Sequence, residues 1–342
     1  MNKILFLIAV TLGSLTFIQS HSYAAGPYYE NKTIRIIVGY SPGGGYDSYA
    51  RAIARHMGKY IPGNPSIIVE NMPGAGSLIS ANHLYRVTKP DGLTLGHFNG
   101  GLFFGQVIGQ QGIEFDARKF EYIGAAVTGG CVALLRKASG ITNVEKWYSS
   151  KRPIKMGGVV LGAYAPDNVT KVLKEALGLP IQLVTGYKGI AEIRLAAESG
   201  ELDGAFGAWY GVRVSWRGVI ESGDMNILMQ AVPKSFSDLS NVPLSINLAK
   251  TETARQLIEA GVHMPSLFSW PFVLPPGTLK EQVLIIRKAF ENTLKDSGFL
   301  AEAEKSKIGL DPVSGEELQK VVLGLFKTDP ASLTKLKEIV LK

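Results

Sequence analysis

The chain has 342 residues, 46% hydrophobic and 19% charged, with 39 glycines and a formal net charge of +7. That length exceeds what one hydrophobic core accommodates, so two lobes of roughly 100–200 residues are expected, and the composition excludes disordered and fibrous classes. The 36 Lys and Arg residues are scattered with no run of four, which argues against nucleic acid as a partner; a positive surface instead enriches anionic solutes weakly, an effect that salt screens.

The N-terminus reads as a secretory signal. Lys3 supplies the positive start, Ile4 to Gly13 and Leu15 to Ile18 the apolar stretch, and Ser22-Tyr23-Ala24 a cleavage site, with residues 1–24 expected to be removed. A membrane anchor needs about 20 unbroken apolar residues, and Thr11, Ser14 and Thr16 interrupt this run. No cysteine precedes the cleavage point, so a freely soluble periplasmic protein is expected. Cys131 stands alone, which excludes an intramolecular disulfide and cysteine-based metal or redox sites and leaves a small buried thiol.

From residue 33 short apolar runs alternate with amphipathic stretches, the pattern of α/β units. Thr33 to Val38 predicts a buried strand; Ala50, Ile53, Ala54, Met57 and Ile61 recur at helical spacing behind a glycine turn. The unit repeats with a strand from Ser66 to Glu70, a turn at Pro73 to Gly76, a helix from Leu78 to Val87 and a strand from Leu93 to Phe98. A second series predicts strands at Val132 to Arg136, Ile154 to Val159, Ile181 to Val184, Gly204 to Ala208 and Asn226 to Ala231. Its helices are expected over Asn168 to Leu177 and Ile190 to Ser199. Two series imply two sheets. A helix from Glu252 to Gly261, an aromatic strand from Leu267 to Leu274 and a helical tail beginning with a capping box at Ser314 complete the chain. Lobe 1 is expected to comprise residues 26–125 plus 240–342 and lobe 2 residues 126–239, joined by short crossovers.

The segment Gly39-Tyr40-Ser41-Pro42-Gly43-Gly44-Gly45-Tyr46-Asp47 lies between a strand and a helix start. Glycines allow close backbone approach and the helix start presents unpaired N–H groups, together an anion cradle. Asp47 is most simply the N-cap, with ligand contact as the alternative. A second cradle, Asn71-Met72-Pro73-Gly74-Ala75-Gly76-Ser77, occupies the equivalent place in the next unit, and two such turns on neighbouring strands are expected to converge on one carboxylate.

Competing chemistries fit less well. The glycine loop lacks the spacing of a dinucleotide fingerprint and the Lys-Ser/Thr of a phosphate loop, so no cofactor is expected. Gly39 to Gly43 matches the G-x-S-x-G elbow of serine hydrolases, but Pro42 cannot donate the oxyanion N–H that follows the nucleophile, which demotes Ser41. His21, His56, His83, His97 and His263 form no ligand cluster; His56 and His97 read as surface residues or as residues just behind a site, and no metal or enzymatic activity is expected.

These residues resemble the Bug-type solute receptors of tripartite tricarboxylate transporters. The resemblance rests on Pro42-Gly43-Gly44-x-x-Asp47 with Arg51, Val69-Glu70-Asn71-x-Pro73-Gly74-Ala75-Gly76 and Pro90-Asp91-Gly92-x-Thr94. Further on, Tyr187-Lys188-Gly189, Gly200-Glu201-Leu202-Asp203 and Trp270 with Pro275-x-Gly277-Thr278 follow in the family's order, so it spans nearly the whole mature chain. It implies a two-lobed, type II-like periplasmic-binding-protein fold, each lobe a mixed or parallel sheet with flanking helices, that closes over a small carboxylate and delivers it as a monomer to membrane transporter subunits. Its implied ligand contacts are Tyr40, Ser41, Gly43, Gly44, Gly45, Asp47, Gly74, Ala75, Gly76 and Ser77 in the first lobe. In the second they are Gly158, Gly162, Ala163, Tyr187, Lys188 and Gly189.

The chain departs from the family pattern at three places. Gly158-Val159-Val160-Leu161-Gly162 lacks the serine usual there, Gly186 replaces a proline, and a Pro-Thr-x-x-Glu segment is missing near Val242-Pro243. They leave the family intact and the ligand open. Trp209 is a candidate pocket wall, Lys188 either a partner for a second carboxylate or a solvated side chain, and Trp216 and Trp270 candidate core fillers. A ligand sensor that signals through a membrane partner, or an exported hydrolase using Ser41, are the alternative functions.

Overall fold

The computed structural model describes residues 27–159, 164–328 and 330–341, so the expected signal and two expected ligand contacts, Gly162 and Ala163, lie outside the described residues. Strands β1 (Thr33–Val38), β2 (Ser66–Asn71), β3 (Thr94–His97) and β4 (Glu121–Ala125) precede β5 (Cys131–Arg136), β6 (Ile154–Gly157), β7 (Ile181–Val184), β8 (Gly204–Ala208) and β9 (Met225–Ala231), with β10 (Phe272–Leu274) and β11 (Val313–Ser314) last. They form two sheets, ordered β11-β4-β10-β3-β1-β2 and β7-β6-β8-β5-β9. Each is mixed: β1 runs parallel to β2 and β3 while β10 is antiparallel to β3 and β4, and β6 runs parallel to β7 and β8 while β5 is antiparallel to β8 and β9.

Helices α1 (Gly45–Met57), α2 (Leu78–Arg86) and α3 (Gly101–Val107) accompany the first sheet. Helices α4 (Val144–Tyr148), α5 (Val169–Leu177), α6 (Ile190–Glu198), α7 (Trp209–Ser215) and α8 (Arg217–Glu221) accompany the second. The remainder are α9 (Glu252–Ile258), α10 (Met264–Ser266), α11 (Lys280–Leu294), α12 (Ser297–Lys305), α13 (Gly315–Leu325) and α14 (Pro330–Leu341).

The elements follow from their apolar spacing. In β1 the β-branched Ile34, Ile36 and Val38 are buried, and α1 buries Tyr49, Ala50, Ala52, Ile53 and Met57 along one face, packed on α11 and α12. Val169, Val172, Leu173 and Leu177 make the buried stripe of α5, which Gly178 ends in the left-handed conformation at φ 67°. Ser314 caps α13 where a capping box was expected, its hydroxyl accepting the Glu317 N–H at 3.2 Å. Cys131 is buried in the core.

The chain passes between the sheets twice, from β4 to β5 and from β9 back to β10. At these crossings the Gly129 N–H donates to the Ser266 carbonyl at 2.6 Å, tying one to the other. The return passage is longer than expected: α9 and α14 both pack on α5 of the second sheet's layer, although sequence placed them with the first lobe.

The aromatic strand expected from Leu267 to Leu274 is confined to Phe272–Leu274. The preceding residues form a hydrogen-bonded turn, in which Ser269 Oγ donates to the Pro265 carbonyl and the Ser269 carbonyl accepts from Gly100 and Tyr46, while Pro271 has no N–H to give a ladder.

Candidate functional site

A cavity partly open to solvent lies between the two sheets' layers. From the first come Tyr40, Ser41, Pro42, Gly44, Gly45, Tyr46 and Trp270; from the second come Val159, Ala165, Pro166, Lys188, Gly189, Ile190, Ala191, Glu192, Gly207, Ala208, Gly211 and Val212. Both contributions include a helix start. The first bond inside α1 runs from the Ser48 N–H to the Gly44 carbonyl, and the first inside α6 from the Ile193 N–H to the Gly189 carbonyl. The N–H groups of Gly45 and Tyr46, and of Ile190 and Ala191, therefore precede the helical ladder, where a negative group is favoured.

Of the expected contacts, Tyr40, Ser41, Gly44, Gly45, Lys188 and Gly189 line this cavity, and Gly43, Asp47, Gly74, Ala75, Gly76, Ser77, Gly158, Tyr187 and Trp209 do not. Asp47 is buried one turn beneath the loop. Its carboxylate accepts from the Gly43 N–H at 2.9 Å, from Arg51 Nε at 2.9 and 3.0 Å and from Asn71 Nδ2 at 2.9 Å. Burial alone would raise its pKa, but those donors outweigh burial and lower it. It is not the N-cap: Gly44 occupies that place, and Asp47 sits within the first turn, where its charge braces the loop from inside.

The second glycine loop also acts from behind. Gly74, Ala75, Gly76 and Ser77 all have positive φ, a run of left-handed backbone that wraps against the first loop. A Cβ on Gly39 would lie 2.2 Å from that of Ser77, and Asn71 Nδ2 donates to the Tyr40 carbonyl at 2.9 Å. Ser77 is fully buried, and its hydroxyl accepts the Asn99 N–H at 2.8 Å. The two cradles are thus neighbours, but the second supports the first.

In the second layer, the Val159 N–H donates to Asp167 at 2.8 Å, and a Cβ on Gly158 would meet the same carboxylate at 2.7 Å, which holds Gly158 behind the wall. The Tyr187 hydroxyl bonds Glu201, and Lys188 reaches the rim with its side chain 77% exposed, 3.9 Å from Glu192. Trp209 is turned away, its indole N–H shared between the Asp238 oxygens at 3.2 and 3.3 Å.

Three features were missed by the sequence. Trp270 is a wall rather than only core, stacked on Tyr46 with centroids 4.0 Å apart and planes within 2°. Tyr46 was passed over inside the glycine loop. Gly211 comes so close to the first layer that a Cβ on Gly45 would lie 2.8 Å from its Cα and 2.5 Å from the Trp270 ring. Of the two places expected for His97, the structure gives the one behind the site: it is fully buried, 4.9 Å from the Tyr46 ring. It stacks on Phe272 at 3.9 Å, and burial lowers its pKa to about 3 against the opposing bond to the Pro271 carbonyl at 3.0 Å. His56 lies between Asp296 at 3.3 Å and Glu302 at 2.9 Å, joining α1 to α12.

No cluster of His, Cys, Asp and Glu suited to a metal ion occurs among the described residues, and none of their helices is long and apolar enough to cross a membrane. What this geometry can do is enclose a small solute between two layers, offering backbone N–H groups to an anion and aromatic rings to an apolar body.

The fold and its cleft are those of a two-lobed periplasmic binding protein. The chain belongs to the tripartite tricarboxylate transporter family receptors, whose pattern matches residues 49–329. A UPF0065 protein of Bordetella pertussis is 28% identical over 208 residues, which are 59% of this chain and 62% of that protein. A second, from Cupriavidus necator, is 35% identical over 88 residues, 26% of each, so the chain spans less than two thirds of either curated relative. Two solved Rhodopseudomonas palustris proteins share the fold. One, determined with adipate, has a TM-score of 0.73 at 20% identity and covers 91% of this chain and 98% of its own. The other, MatC with bound malate, has a TM-score of 0.69 at 18% identity over 91% and 99%.

Proposed function

We propose that the protein is an exported, periplasmic receptor that captures a small carboxylate between its lobes and delivers it to the membrane subunits of a tripartite tricarboxylate-type transporter. The observation that carries this reading is the meeting of two helix N-termini, those of α1 and α6, on one cavity from opposite layers. Together they favour a negative group held between them. Family membership and the two dicarboxylates held by solved relatives of the same fold support a carboxylate as that group.

Transport function follows from the lobes rather than from any reacting side chain. In this reading residues 26–125 plus 240–342 make one lobe and 126–239 the other, and the packing of α9 and α14 on α5 ties the two together. A solute touched from both sides favours the closed arrangement in proportion to its differential affinity for it, and closure is what a membrane partner reads. The receptor works as a monomer and transforms nothing; Ser41 lines the cleft but is followed by Pro42, which has no N–H for an oxyanion.

A thermal-shift screen of the mature chain against mono-, di- and tricarboxylates tests the reading. A true solute at 100 times its Kd adds about 2.7 kcal/mol of stability. Folded protein that no carboxylate stabilises contradicts it.

A further inference from the structure

The receptor reading leaves the solute's chemistry open, and the inference here rests on that reading. Two tyrosine rings, Tyr40 and Tyr46, open into the cleft with centroids 4.7 Å apart and planes at 37°. Both hydroxyls are engaged by the protein. The Tyr46 hydroxyl donates to the Ser269 carbonyl at 2.8 Å, and the Tyr40 hydroxyl is held by Ser77 and Asn99 of the first lobe and feels the Asp167 carboxylate of the second. What they show a solute is ring carbon. Across the cleft stand the aliphatic side chains of Ile190 and Ala208.

Charge in the cleft is sparse and already matched. Among the described lining residues the charged side chains are Lys188 and Glu192, which pair at 3.9 Å while the Lys188 N–H donates to the same carboxylate at 2.9 Å. The ammonium lies largely in solvent and Glu192 repels a second anionic group nearby. A solute with two carboxylates and a hydroxyl, such as malate, would leave polar groups facing ring and aliphatic carbon, an unfavourable burial. A single carboxylate can be satisfied by the N–H groups of the helix starts.

We propose that the solute is a monocarboxylate with a flat apolar body, of which an arylacetate is the simplest form, its carboxylate on the helix N–H groups and its ring along Tyr40 and Tyr46. Such a body matches an aromatic face at ordinary stacking distances, and specificity then lies in the ring contacts rather than in a salt bridge.

Isothermal titration of the full mature chain with phenylacetate, malate, adipate and 2-phenylethanol tests this without any variant. Phenylacetate is expected to bind at least tenfold more tightly than either dicarboxylate, and 2-phenylethanol, which keeps the ring and loses the charge, at least tenfold more weakly than phenylacetate. Tighter binding of malate or adipate overturns the inference and leaves the carboxylate receptor standing. Equal binding of phenylacetate and 2-phenylethanol removes the carboxylate from both. Absence of binding by all four overturns the inference, and the wider carboxylate screen then decides the receptor reading on its own. Tyr46→Phe, which retains the ring, is expected to keep phenylacetate affinity within about threefold, and Tyr46→Ala to lose at least tenfold; equal affinities for the two variants also overturn it.

Discussion

Gly45 and Gly211 meet across the cleft so closely that a Cβ built on Gly45 comes within 2.8 Å of the Gly211 Cα. One belongs to the first turn of α1 and the other to α7, so two helices from different layers touch where neither carries a side chain.

A Cβ at Gly211 would lie 3.1 Å from the Trp270 ring, so a larger side chain there presses on the opposite wall and is expected to obstruct closure. Gly211→Val is expected to weaken solute binding at least tenfold with little change in the melting temperature of the free protein, because a β-branched residue in a helix is no worse than glycine. Titration calorimetry beside a thermal melt separates the two effects; an unchanged affinity would show that the glycine pair is incidental to closure.

Asp47 organises the cradle from beneath. Asp47→Ala removes charge-assisted bonds to Arg51, Asn71 and Gly43 and is expected to cost about 2–3 kcal/mol in urea unfolding, with a loss of solute affinity as the loop relaxes. Its pKa is lowered, so this contribution is present above the ordinary carboxylate range and is lost as pH falls through the lowered value.

His97 has a separate pH window. Its pKa falls from 6.5 to about 3 on folding, so the unfolded chain takes up a proton that the folded chain refuses. Stability is expected to decline by about 1.4 kcal/mol per pH unit between pH 6 and pH 3.5 from this residue. His97→Gln, which can still donate to the Pro271 carbonyl, is expected to flatten that slope in urea titrations at pH 6 and pH 4.5; an unchanged slope would place the imidazole in contact with water.

Trp209 and Trp270 separate by position. Trp209→Phe loses the bond to Asp238 and is expected to cost about 1 kcal/mol of stability while leaving solute affinity within twofold. Trp270→Ala is expected to lose both affinity and the solute-dependent change in tryptophan fluorescence, since Trp270 lies in the cleft wall and stacks on Tyr46.

The sequence was informative wherever a structure is made by near neighbours. Ile181–Val184 and Gly204–Ala208 read as strands because compact apolar runs between turns have few other solutions, and the two α/β series translated into two sheets. The glycine loop at the start of α1 was legible because left-handed and closely approached backbone needs glycine.

The aromatic part of the cleft wall was not legible, because it is made by contacts without a local pattern. Tyr46 bonds the Ser269 carbonyl across 223 positions, which no periodicity reports. Asp47 looked like an N-cap because its type and place fit, whereas a glycine can occupy that position with backbone alone, freeing the carboxylate to face inward. Trp209 and Trp270 are equally plausible from composition, and only the course of α7 and the turn before β10 decides which faces the solute.

The central claim is that a carboxylate sits between the N-termini of α1 and α6. The most direct measurement is the affinity of the best-binding acid from the screen against that of its primary amide, which preserves shape and removes the charge. The account predicts that the amide binds at least tenfold more weakly; equal affinities would contradict it.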